Sequence, residues 1–254
     1  MAIAFVAVDT KVGGGSGPSL AIPGGSVGDM LIAGRAAGSS GTTLNDQSGW
    51  TLADQLEGGT GSSIDAHVTK ARADYREADG FESDPTAFSG TSLGYVIGLM
   101  ARYSKAGGST WDVAATTGND NTHGSNRATS GANSITWLTG DMCVVVVATD
   151  TDTALTITSP AVTATNVTFG TCNRRSPSTA GTTSGQDGNI EIFDVAVTAT
   201  NGSPNTSPAL QFTTATSQCG PVVFVRLREI SAAEPPAPPI LRPYRAAVER
   251  SVRW

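Results

Sequence analysis

The sequence predicts an all-β protein: a sandwich, jelly-roll or immunoglobulin-like, built from two similar halves and followed by an extended Pro-rich C-terminal arm. Three observations carry that prediction. One strand order occurs twice along the chain. Charged residues make up only 15% of the 254 residues, while Gly, Ser and Thr are abundant, the balance of a β-protein with many turns. Turn residues recur about every ten positions between short apolar blocks, the spacing of a sandwich or barrel.

The repetition is most visible at two strand starts. Gly28-Asp29-Met30 leads into Leu31-Ile32-Ala33-Gly34-Arg35-Ala36, and 112 residues later Gly140-Asp141-Met142 leads into Cys143-Val144-Val145-Val146-Val147-Ala148. Downstream landmarks keep the same order. The stretch 64–69 answers to 190–197, and Tyr95 to Tyr103 answers to Pro221 to Arg228. No acid, base or ligand cluster repeats with the strands.

The elements follow from local pattern. Residues 1–9 alternate weakly as a first strand and break at Gly13-Gly14-Gly15-Ser16-Gly17-Pro18, a flexible connector. The run 29–37 is β-like, and a short strand starts at Trp50 and closes at Gly58-Gly59. Residues 64–71 alternate Ile64, Ala66 and Val68 against Asp65, His67 and Thr69, a strand with one wet face. Residues 71–78 could form a helical turn or two. Residues 95–103 are nearly all apolar, as in a central strand buried on both faces. A polar stretch over 116–126 reads as the loop between the halves. The second round places strands at 134–138, 141–149, 154–157, 162–169, 190–198, 210–213 and 222–230, with a long loop over 172–189. The predicted units are therefore 1–115 and 116–231, packed as one joint sandwich or as two adjacent ones.

The body stops at Ile230. Pro235-Pro236-Ala237-Pro238-Pro239 cannot continue a strand and favours an extended spacer of roughly 3 Å per residue. Beyond it, Leu241, Tyr244, Val248 and Val252 fall on one face of a helix, Arg242, Arg245, Arg250 and Arg253 fall mostly elsewhere, and Trp254 ends the chain. So short an amphipathic segment is marginal alone and gains order by laying its stripe in a groove. Residues 232–254 are thus a linker and a partner-binding anchor; the bland alternative is a frayed, solvated terminus.

Charge supports an anchor. The net charge of −6 hides a local +3 after residue 240, which leaves −9 on residues 1–239. A basic tail on an acidic body suits docking on an acidic surface of a neighbouring copy, and the acidic body argues against binding nucleic acid. Cys143, Cys172 and Cys219 are too few and scattered for a disulfide framework or a zinc site. Pairing of Cys172 with Cys219 stays open. The N-terminus lacks a basic opening and the length of a secretory signal, so the chain is expected to be made without export. The longest apolar run, 142–148, is too short to span a bilayer.

Reactive chemistry is weakly encoded. Gly24-Gly25-Ser26-Val27-Gly28 and Gly90-Thr91-Ser92-Leu93-Gly94 match the nucleophile-elbow spelling, but neither opens a helix. His67 and His123 lack ligand or carboxylate partners at useful spacing. Asp150 with Asp152, and Asn119-Asp120-Asn121, are oxygen-rich but lack a calcium-loop signature. The expectation is no enzyme, no metal and no cofactor. Trp50, Trp111 and Trp137 read as core or sandwich-edge residues; exposed together, they would form a platform for sugar rings.

Taken together, the Gly28-Asp29-Met30-Leu31-Ile32-Ala33 opening, the Gly49-Trp50-Thr51-Leu52 step, Lys70-Ala71, the apolar strand ending at Tyr103 and the second Gly-Asp strand resemble a family of tailed-phage and prophage virion proteins. The similarity runs over roughly residues 20–230. It departs after Tyr103, where Ser104-Lys105 replaces the usual Arg-Gly. The resemblance implies a β-sandwich component of the capsid, collar or tail (a capsid decoration or minor tail protein). Such a protein would be made in the host cytoplasm, assembled with other virion subunits and with copies of itself, and would transfer no catalytic residues. The alternative function is a carbohydrate- or receptor-binding module on the particle.

Overall fold

The computed structural model describes residues 3–14, 17–38, 43–58, 69–84, 86–88, 90–91, 96–107, 109–149, 155–176 and 188–231. Their regular structure is entirely β. The first half supplies β1 (Ala4–Val8), β2 (Val12–Gly14), β3 (Ser19–Leu20), β4 (Met30–Ala37), β5 (Thr43–Leu44), β6 (Thr51–Gly58), β7 (Thr69–Glu77), β8 (Thr86–Ala87), β9 (Gly90–Thr91) and β10 (Val96–Ser104). The second supplies β11 (Thr110–Ser130), β12 (Ile135–Thr136), β13 (Met142–Thr149), β14 (Ile157–Thr163), β15 (Val167–Phe169), β16 (Asn173–Arg174), β17 (Asn189–Thr200), β18 (Asn205–Thr206) and β19 (Ala209–Ile230).

Each half builds its own antiparallel sheet. The first runs β1-β10-β4-β7-β6, with β2 beside β10; the second runs β11-β19-β13-β17-β15, with β14 beside β19 and β16 beside β17. The two orders match strand for strand. Register confirms the match at β4 and β13: Met30 lies opposite Tyr103 and Glu77, and Met142 lies opposite Leu227 and Ala196. The same ladders correct two alignments made from the sequence. Ala71, not Ile64, is the counterpart of Ile190, and Tyr103 answers to Leu227 rather than to Arg228. Similar apolar strings can slide against one another, whereas hydrogen bonds to β4 and β13 cannot.

The sheets face each other. β10 crosses β17, β7 crosses β19, β6 crosses β11, and β4 lies over β13. An approximate two-fold axis therefore runs between the sheets, parallel to the strands. The central core is asymmetric across it, with Ala36, Ala71, Ala73 and Ala101 on the first sheet among larger Ile and Leu, and Val144, Val146, Ile190, Ile192, Val223 and Val225 on the second. Gly34 is the close-approach point, since a Cβ there would sit 2.9 Å from Val146 Cγ1 and 3.1 Å from Ile190 Cδ1.

Each sheet also buries its outer face. Leu20, Leu31, Ala33, Phe88 and Met100 cluster outside the first sheet, and Trp137, Val145, Phe193, Phe212 and Phe224 outside the second. β4 and β13 are buried along their whole length, which is why they read as unbroken apolar runs instead of alternating.

Three local expectations fail. Residues 71–78 are not helical; they lie in β7 and just after it, with Ala71 and Ala73 in the central core and Arg72 and Asp74 buried on the opposite face. The polar stretch 116–126 is not a loop but the middle of β11, which pairs with β19 along most of its length. Its polar side chains suit an edge strand, and a register shift between Asp120 and Gly124 takes up the irregular part. Finally, 210–213 and 222–230 are one continuous strand, β19.

Candidate functional site

The proposed anchor, Leu241, Arg242, Tyr244, Arg245, Val248, Arg250, Val252, Arg253 and Trp254, lies outside the described residues. So do His67, Ser92, Asp150 and Asp152. His123 lies within β11.

The repeated Gly-Asp is a turn lock. Gly28 and Gly140 adopt φ of +91° and +96°, which a side chain would strain. Asp29 Oδ2 accepts the Ser26 N–H at 2.8 Å, and Asp141 Oδ2 accepts the Leu138 N–H at 2.7 Å. Each turn is then tied to the chain just after β7 or to β17: Gly28 N–H donates to Ala78 O at 2.7 Å, and Gly140 N–H donates to Val197 O at 2.9 Å. An arginine from the strand alongside clamps each carboxylate. Arg102 Nε donates to Asp29 at 2.9 Å while its other nitrogens bind Pro23 O and Ser26 O. Arg228 donates to Asp141 at 2.8 and 2.7 Å. By register, Arg226 is the true counterpart of Arg102; it turns instead to Thr136 O and Asp112. Ser26 is thus an exposed turn residue before a strand, without the helix that a nucleophile elbow requires.

The other sequence candidates are also structural. Trp137 is fully buried, with Nε1 donating to Thr206 O at 3.2 Å. Trp50 packs edge-on to Phe88, and Trp111 donates to Gly28 O at 2.9 Å beneath the Lys105 ammonium. The three rings belong to different packing groups and form no shared platform. Asp120 pairs with Arg127 at 2.9 Å. Cys172 carries a free thiol, which closes the option of a bridge to Cys219. Burial and then the Asp194 charge push that thiol up to about 12.

The structure also assembles buried ions that sequence pattern did not single out. Outside the first sheet, Arg35 donates to Asp74 at 2.6 Å, and Arg72 bridges Asp74 and Asp46, each at 2.7 Å. These guanidiniums also hold Leu44 O and Asn45 O, pinning the segment after β5.

The second cluster joins the halves. Lys11, between β1 and β2, reaches the start of β17 and places its Nζ 2.7 Å from Glu191 Oε1 and 3.0 Å from Asn189 Oδ1. The side chains of Lys11 and Glu191 are both fully shielded from solvent. Arg174 grips the same carboxylate with two bonds, at 2.8 and 2.9 Å. Asn189 Oδ1 also accepts the Ile190 N–H at 2.8 Å. Burial pulls the Lys11 ammonium below its ordinary range, helped by the Arg174 charge and opposed by Glu191. The available signal was a carboxylate between Ile190 and Ile192, which alternation alone assigns to a wet face.

These features define an all-β protein of two large facing sheets and three small two-stranded ones, with a buried ion pair joining its halves. Among the described residues there is no group of three or more His, Cys, Asp or Glu side chains placed to hold a metal ion, and no helix long and apolar enough to cross a membrane. No family model, curated protein or solved structure matches the chain.

Proposed function

We propose that the chain is a structural component of a phage virion, a rigid body on the capsid, collar or tail whose C-terminal arm docks on a neighbouring subunit. The partners are other virion proteins and further copies of this chain, and the site of action is the particle. The reading rests on the resemblance of the repeated strand motifs and on one observation about the surface. Among the described residues the four most exposed large apolar side chains, Phe81 (89%), Val27 (70%), Ile230 (47%) and Leu138 (45%), all lie at one end of the sandwich. That end carries both Gly-Asp turns, because Trp111 at the start of β11 bonds Gly28 at the start of β4. It is also the end where β19 finishes and the chain passes into the arm.

Exposed apolar residues gathered on one surface favour a contact with another protein. Phe81 is held out on a fixed turn, with its N–H bound by Asp79 and the preceding N–H groups bound by Glu82. An arm tethered at such a contact raises the local concentration of the partner. The test is removal of residues 235–254. The shortened protein is expected to keep the far-ultraviolet spectrum and melting temperature of the full chain yet be missing from purified particles; incorporation at normal copy number would refute the reading.

A further inference from the structure

The Lys11, Asn189 and Glu191 cluster is arranged for a reaction as well as for an ion pair. From its geometry we propose that Lys11 and Asn189 condense into an intramolecular isopeptide bond, with Glu191 as the proton carrier, covalently joining the two halves. The proposal is independent of the virion reading.

Four observations carry it. First, the nucleophile is already held on the carboxamide it would attack: Lys11 Nζ lies 3.0 Å from Asn189 Oδ1, which is bonded to the electrophilic carbon, and such positioning lowers the entropic barrier to attack. Second, a base touches the nucleophile, since Glu191 Oε1 lies 2.7 Å from the same nitrogen. Third, the carboxamide oxygen accepts the Ile190 backbone N–H at 2.8 Å, a fixed donor where negative charge develops. That bond also identifies the atom as oxygen rather than nitrogen.

The fourth observation is charge. Glu191 is already matched by a two-bonded guanidinium from the partly exposed Arg174, so a charged Lys11 would leave an excess positive charge on a side chain fully shielded from solvent. A neutral amine relieves that cost, and a neutral amine is the nucleophile.

The atoms balance without any co-reactant. The neutral Lys11 amine attacks the Asn189 carboxamide carbon to form a tetrahedral adduct. Glu191 takes a proton from the attacking nitrogen and passes it to the departing Nδ2. The carbon–Nδ2 bond breaks, ammonia leaves, and Glu191 is again a carboxylate held by Arg174. Nothing is oxidised or reduced.

The test is mass spectrometry of the full-length protein after folding and then denaturation, with allowance for loss of Met1. The wild type is expected to be lighter than its sequence by one ammonia, and a protease digest is expected to contain a branched peptide joining residues 11 and 189. Lys11→Arg, Asn189→Ala and Glu191→Gln are each expected to return the full mass and lose the branched peptide. A folded wild type at full sequence mass overturns the proposal, whether or not any variant folds. A loss of ammonia that persists in Lys11→Arg also overturns it, because that would report ring closure of Asn189 on its own backbone.

Discussion

Asp29 and Asp141 show how one residue type secures the same turn twice. Each caps an N–H three residues back and neutralises an arginine reaching over from β10 or β19. Asp29→Ala is expected to destabilise the protein by about 3–5 kcal/mol in urea unfolding, because it strands the Arg102 charge in a buried site. Asp29→Ala combined with Arg102→Leu should recover much of that loss; equal destabilisation of single and double variants would show that the pair is not coupled. Cys172 offers a test of burial. Its thiol, raised to about 12, stays protonated at pH 8, so alkylation of the native protein should be roughly a thousandfold slower than for a free thiol and rise about tenfold per pH unit up to 11. Labelling at the free-thiol rate would contradict the partly buried placement.

At the level of elements, the sequence disclosed most where one environment acts on a whole strand. β4 and β13 are buried on both faces, and their apolar runs with the Gly-Asp starts were readable directly. Where the two faces or two ends of a strand differ, the reading failed. β7 carries small alanines inward and buried Arg72 and Asp74 outward, a pattern that resembles a helix or a wet strand until the partners in residues 44–46 are known. β11 looks like a loop because its stability comes from pairing with β19, which lies far away in sequence. The Lys11 cluster was hidden for the same reason, since its members lie 178 and 180 residues apart. The sheet-to-sheet contact makes its own prediction. Gly34→Val should cost about 1–3 kcal/mol by overpacking against Val146 and Ile190, and Val146→Ala in the same chain should restore part of it. A neutral Gly34→Val, measured by urea midpoint, would mean that the sheets are further apart than described.

On the scale of the whole molecule, two matched sheets share a central core, buried ions bridge them, and the four most exposed large apolar side chains among the described residues gather where β19 ends. In the proposed reading such a body holds a position on the particle and makes its contact at that end. The tether beyond Ser231 was visible in composition from the outset: prolines, then an apolar stripe carrying arginines. In the proposed reading the surface that receives it belongs to a second molecule. Light scattering on the full-length protein and on residues 1–234, at matched concentration, tests the central claim most directly. The account predicts concentration-dependent association of the full chain that is lost on truncation and weakened by Tyr244→Ala with Val248→Ala. Identical masses for both proteins at every concentration, with or without purified particles present, would contradict it.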